Sequence, residues 1–167
     1  MSKAICNASP IIALAMLNQL KLLWTLFEEV YVPEAVYKEI VLGESVNNYG
    51  QTELREAIDQ GCVSVYTVKD QALVGNLYGK LHRGEIETVV GGREMGVDFV
   101  VLDEKAARVL AQAFLLVPIG TIGILRLAKT QGLIDSVRPY LDFLRVSGFR
   151  ISDYLYRKIL ESELEGQ

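Results

Sequence analysis

The sequence predicts an α/β fold in which helices cover both faces of a parallel sheet. Two observations carry this expectation. Short apolar runs alternate with helical segments through most of the chain, the pattern left by parallel strands joined through crossover helices. The run Phe99-Val100-Val101-Leu102 is apolar at every position, as a strand buried on both faces should be. At 167 residues, half of them hydrophobic and 23% charged, the chain is long enough to bury a sizeable core. With no repeat and no interdomain linker, a single domain over residues 1–167 is expected.

Taken in order, Ala4, Ile5 and Cys6 begin a short strand that Asn7 ends. Ser9 followed by Pro10 reads as a hydroxyl cap and a proline at the first helical position, so Ile11 to Leu17 is expected to be a buried helix. Leu20 to Phe27 continues helically. Val30 to Val32 is a second strand, stopped by Pro33. Pro33 opens a helix over Glu34 to Val41, with Val36 and Ile40 on its apolar face and Glu39 beside them, either at the edge or turned inward. Gly43 to Gln51, with Asn47, Asn48 and Gly50, reads as a loop. Thr52 caps a helix through Gln60, and Gly61 stops it. Val63 to Val68 alternates and suggests a half-exposed edge strand. Lys69 to Lys80 reads as loop with a helical turn.

A helix then begins near Arg83 and Gly84, carrying Glu85 and Glu87 in its first turn. Gly92 and Gly96 loosen its end before the Phe99–Leu102 strand. Asp103 and Glu104 fall where that strand gives way to the next helix. Leu116 to Ile119 is a last strand. Gly120 and Thr121 open a helix ending near Gly132, and Gly120 and Gly123 are read as close helix–strand packing. Two more helices follow, Ser136 to Leu144 and Ser152 to Glu163, the second capped by Ser152.

Composition excludes several function classes. The net charge is −4, whereas a general DNA-coating protein would be basic. Two cysteines without CxxC spacing and one histidine make a poor zinc ligand set and suggest two reduced, buried thiols in a cytoplasmic protein. A catalytic triad would need His82 as its base, and an exposed or capping His82 is the better reading. Membrane spans need roughly 20 continuous apolar residues. Pro10 to Leu17 is too short, and Val109 to Leu127 is broken by Gln112, Pro118, Gly120 and Gly123. Lys3 to Leu17 has the makings of a signal peptide but reads better as strand and helix. Neither GxGxxG nor a phosphate-loop pattern is present.

Ligands in open α/β sheets gather at the carboxyl ends of strands. The residues expected there are Asn7, Ser9, Glu39, Glu85, Asp103 and, as a fallback, Glu104. Carboxylates converging in one pocket repel one another, and a divalent cation resolves that cost. Oxygen ligands alone suit Mg²⁺ or Mn²⁺, which also bind substrate phosphates and can activate water. Each residue has a plainer role too. Glu85 and Glu87 suit a helix start, Asp103 and Ser9 suit caps, and Glu39 suits a solvated helix face. Arg126, Lys129, Arg138, Arg145, Arg150, Arg157 and Lys158 are either a rim for an RNA backbone or scattered surface charges.

Six blocks carry a family resemblance: Asn7-Ala8-Ser9-Pro10-Ile11-Ile12-Ala13-Leu14, Val32-Pro33-Glu34-Ala35-Val36-Tyr37-Lys38-Glu39-Ile40, Gly84-Glu85-Ile86-Glu87, Val101-Leu102-Asp103-Glu104-Lys105-Ala106-Ala107-Arg108, Gly120-Thr121-Ile122-Gly123-Ile124-Leu125 and Gly148-Phe149-Arg150-Ile151-Ser152. In this order they resemble the PIN-like group called domain of unknown function 3368. The resemblance implies a three-layer α/β/α fold with a central, mostly parallel sheet. It implies a Mg²⁺- or Mn²⁺-dependent nuclease, related to the VapC-type toxin ribonucleases of toxin–antitoxin pairs. RNA, a small antitoxin and a second copy of the chain are the partners it implies. The family's acidic positions fall on Asn7, Glu39, Glu85 and Asp103, and its hydroxyl on Ser9.

The chain departs from the family at Asn7, where an aspartate is usual. Asparagine offers a neutral carbonyl oxygen and one charge fewer, so weaker metal affinity is expected. The competing expectations are a non-catalytic RNA- or protein-binding module and another acidic-pocket phosphotransfer enzyme.

Overall fold

The computed structural model describes residues 2–43 and 49–166. Asn47 and Asn48 of the expected loop lie outside the described residues. The chain forms two compact units, Met1–Thr121 and Ile122–Gln167.

The first unit carries the sheet. Its elements are β1 (Lys3–Cys6), α1 (Ala8–Met16), α2 (Leu22–Leu26), β2 (Glu29–Pro33), α3 (Glu34–Tyr37) running into a π-helical turn (Lys38–Leu42), α4 (Gln51–Asp59), β3 (Ser64–Tyr66), α5 (Gln71–Leu77), α6 (Arg83–Met95), β4 (Phe99–Val101), α7 (Lys105–Ala113) and β5 (Pro118–Ile119). Among the described residues the sheet has five strands, in the order β3-β2-β1-β4-β5. Every pairing is parallel. Helices lie on both faces, giving the expected three-layer α/β/α arrangement.

The apolar runs explain the strands. Ile5, Val32, Val100 and Val101 are fully buried. The cluster of Ile5, Val89, Val97, Val100, Leu102, Ala107 and Ala111 packs α6 and α7 against the sheet. Gly91 and Gly92 of α6 allow that close approach. A Cβ on Gly92 would fall 2.7 Å from Val100 Cγ1, and one on Gly91 3.0 Å from Ile5 Cδ1. These glycines hold the helix on the strands rather than loosening its end, which comes at Gly96 in the left-handed conformation.

Several boundaries differ from expectation. The first helix begins at Ala8 with Asn7 as its cap, so Ser9 is not the cap and is exposed. The left-handed Gly50, rather than Thr52, caps α4. Lys69 to Lys80 holds a seven-residue helix, α5, whose cap Asp70 accepts the Leu73 N–H at 3.0 Å. Cys6 is buried, and burial pushes its thiol up, while Cys62 is only half-buried; both are free.

The second unit contains α8 (Thr121–Thr130) from Ile122 onward, α9 (Arg138–Val146) and α10 (Asp153–Ser162). As expected, Ser152 caps α10, accepting the Leu155 N–H at 3.1 Å. Much of the positive charge here is already paired. Arg126 meets Glu163 at 2.7 Å, Lys129 meets Glu165 at 2.8 Å, and Arg145 meets Asp153. Glu165 also accepts the Val137 and Arg138 N–H groups at 3.0 Å each. A free basic rim built from all seven residues is therefore not what the structure has. No helix among the described residues is long and apolar enough to cross a membrane.

Candidate active site

The carboxyl ends of β1 and β4 lie side by side. Cys6 pairs with Val101, and the Asn7 N–H donates to the Val101 carbonyl at 3.0 Å. Asn7 and Asp103 therefore leave the sheet at the same end, on neighbouring central strands. Asn7 is 4% exposed, and its side chain makes no cap bond to α1. Its amide oxygen points at the start of α6. A Cβ on Gly84 would stand 3.3 Å from Asn7 Oδ1, 3.3 Å from Val36 Cγ2 and 3.7 Å from Glu39 Oε2. Gly84 thus leaves the space in which Asn7 and Glu39 converge. Its carbonyl is held by the Thr88 hydroxyl at 2.7 Å.

Glu39 reaches this point from the π-helical turn. A π turn inserts one residue into the helical repeat and is often found at functional sites. Here Val36, Ile40 and Val41 stay buried while Glu39 is exposed in part. Gly43 closes the turn, and any Cβ there would overlap the Glu39 carbonyl oxygen. Desolvation raises the Glu39 carboxyl, His82 opposes the rise, and the negative charge of Glu85 adds to it. Glu39, Glu85 and His82 are therefore electrostatic neighbours.

Glu85 is buried at the third position of α6, and its Oε2 accepts the His82 N–H at 3.1 Å. This is one half of a capping box, so the plainer role assigned to Glu85 is real. His82 is the cap residue of α6, in line with the capping reading. Glu87 does more than suit a helix start. It is 3% exposed, accepts the Ala35 N–H at 3.2 Å and takes Arg83 Nε at 2.9 Å. It thereby ties α6 to the start of α3.

Asp103 is not the cap of α7. Glu104 takes that place, exposed and without a side-chain cap bond. The Asp103 carboxylate instead receives Thr121, whose N–H donates to Oδ1 and whose hydroxyl donates to Oδ2, both at 2.7 Å. Burial raises the Asp103 carboxyl; the two Thr121 bonds and the charge of Arg108 pull it back. Gly120 makes room, since a Cβ there would stand 2.9 Å from Asp103 Oδ1. Thr121 was not read from the sequence as a site residue. The only signal was a glycine and a hydroxyl residue together at a helix start.

The structure thus brings Asn7, Glu39 and Glu85 around the start of α6 and sets Asp103 at the neighbouring strand end. Ser9 and Glu104 lie exposed in the first turn of α1 and at the cap of α7. A cleft of about 810 Å³ opens beside Glu39, Gly84 and His82, with Lys38, Arg83 and Gln71 on its walls. Among the described residues no group of three or more His, Cys, Asp or Glu side chains is set to hold a metal ion. The donor chemistry, an amide oxygen and carboxylates with no sulfur, still fits a hard cation.

The fold defines an α/β protein whose five described strands are all parallel, with Asn7 and Asp103 just beyond the carboxyl ends of two neighbouring strands. The family model DUF3368, described as a PIN domain, matches residues 3–165. The chain belongs to this PIN-domain family, and that membership supports a nuclease role in general. PIN domains typically use divalent metals and bind nucleic acid. Comparison with curated proteins returns no match.

Proposed function

We propose that the protein is a Mg²⁺- or Mn²⁺-dependent endoribonuclease and the toxin of a toxin–antitoxin pair. The observation that supports this best is the convergence of Asn7 Oδ1 and Glu39 Oε2 on the bare backbone of Gly84, with Glu85 close enough to raise the Glu39 carboxyl. Partly desolvated like charges are costly unless a cation or proton joins them. Asn7, Glu39, Glu85 and Asp103 would hold the metal, with Ser9 positioning and Glu104 as the alternative at the fourth place. When bound, the metal supplies an activated water and stabilises charge on the phosphodiester.

The chain's own residues do the rest. Glu39 and Asp103 carry raised carboxyls, so each is poised to accept a proton more readily than a solvated acid. Thr121 fixes the Asp103 carboxylate in one orientation. The cleft beside Glu39 has room for a nucleotide flanking the cut. A small antitoxin and a second copy of the chain are the protein partners in this reading.

Cleavage of a mixed single-stranded RNA tests it, with Mn²⁺ or Mg²⁺, a chelator control and Asp103→Asn. Loss of cleavage in both controls is the expected result. Cleavage surviving in Asp103→Asn would place the chemistry elsewhere. Asn7 favours a second reading, a non-catalytic RNA- or protein-binding module, because it removes one charge from the set. Folded protein that cleaves nothing yet binds RNA would select that module.

A further inference from the structure

Arg108 lies in the first turn of α7, its N–H bonded to the Glu104 carbonyl at 3.0 Å, and it is exposed. The Cβ that Gly120 lacks would sit 2.9 Å from Asp103 Oδ1 and 3.9 Å from Arg108 Nη1. The carboxylate and the guanidinium therefore face the same bare backbone, and a side chain at Gly120 would close the gap beside it. Asp103 does not fill the gap, because both its oxygens are bound to Thr121. Among the described residues no ion pair joins Arg108 to an acid, whereas Arg83, Arg126, Arg138 and Arg145 each have one. Arg93 is also engaged, lying over the Phe114 ring.

A guanidinium that feels the charge of Asp103 but makes no close ion pair with it answers an electrostatic problem at the rim of this acidic centre. A phosphodiester approaching Glu39, Glu85 and Asp103 is repelled by each of them. A guanidinium is permanently charged, and its planar fork matches two phosphate oxygens at once. We propose that Arg108 is a substrate-binding residue of this site, whose guanidinium takes the non-bridging oxygens of a backbone phosphate at the gap beside Asp103 and Gly120. This rests on the RNA-directed reading above and adds to it the residue that grips the strand.

The test is binding of a fluorescein-labelled, single-stranded 2′-O-methyl oligonucleotide of mixed sequence in Mn²⁺, with the strand checked intact on a gel. Anisotropy titrations across a salt series compare the native chain with Arg108→Ala, Arg108→Lys and Arg55→Ala, the last removing an exposed charge on α4. Losing one phosphate contact to a single strand should reduce the slope of log affinity against log salt by about 0.7. That reduction is expected in Arg108→Ala, with the slope largely kept in Arg108→Lys and unchanged in Arg55→Ala. A native slope in Arg108→Ala, or an equal loss in Arg55→Ala, overturns the assignment while leaving the RNA-binding reading intact. No binding by the native chain overturns both.

Discussion

Thr121 holds Asp103 by both carboxylate oxygens, one through its backbone N–H and one through its hydroxyl, each at 2.7 Å. Thr121 is fully buried, so water cannot replace the hydroxyl if it is removed. Thr121→Val keeps the volume and deletes only that donor. The expected cost is about 1.5–3 kcal/mol, the usual range for a hydrogen bond to a charged group. Urea denaturation measures it, and Thr121→Ser should recover most of it. A Thr121→Val protein as stable as the parent would show that the hydroxyl bond contributes nothing.

Stability and activity should part company at Asp103 itself. Burial raises this carboxyl above its ordinary range, so the fold favours the protonated form. The stability it contributes is full below the ordinary carboxylate pKa of about 3.9 and is lost as pH rises through the raised value. Asparagine does not titrate. The difference in urea midpoint should therefore move in favour of Asp103→Asn as pH rises through that window, then level off, while RNA cleavage is lost. A difference that stays flat with pH would contradict the raised carboxyl.

Gly84→Ala separates the site from the helix that carries it. Gly84 lies in the first turn of α6, where alanine suits a helix better than glycine. Its new Cβ, however, would press on Asn7 Oδ1 and Val36 Cγ2 at 3.3 Å. Thermal stability should hold within about 1 kcal/mol. Cleavage should fall by about tenfold, since a displacement of about 1 Å can cost roughly a hundredfold and these neighbours must move by less. Unchanged cleavage would mean that Asn7 and Glu39 do not act together at this point.

The sheet was legible because its strands are short apolar runs bounded by residues that stop them. Phe99 to Val101 and Val30 to Val32 could hardly have been read otherwise. The ends of helices were less so. A proline fits anywhere in a first turn whose N–H groups lack partners, so Ser9-Pro10 did not say that Asn7 was the cap. Glu39 falls between edge and interior in the sequence because a period of 3.6 residues per turn does not include the π turn that sets its position. Thr121 escaped notice since its partner lies 18 residues away, and spacing along one element carries no information about such a pair. Glu87 reads from sequence as a first-turn charge alone for the same reason, as its backbone partner Ala35 is 52 residues distant.

The most direct measurement is a calorimetric Mn²⁺ titration of the native chain, Asn7→Asp, Glu39→Gln and Asp103→Asn, repeated as pH is lowered. Binding is expected to be tighter in Asn7→Asp and weaker in Glu39→Gln and Asp103→Asn. Because burial raises the Glu39 and Asp103 carboxyls, native affinity should start to fall at a pH above the ordinary carboxylate range. Binding that is the same in all four proteins, or absent from Asn7→Asp as well as from the native chain, would contradict a metal site built from these residues.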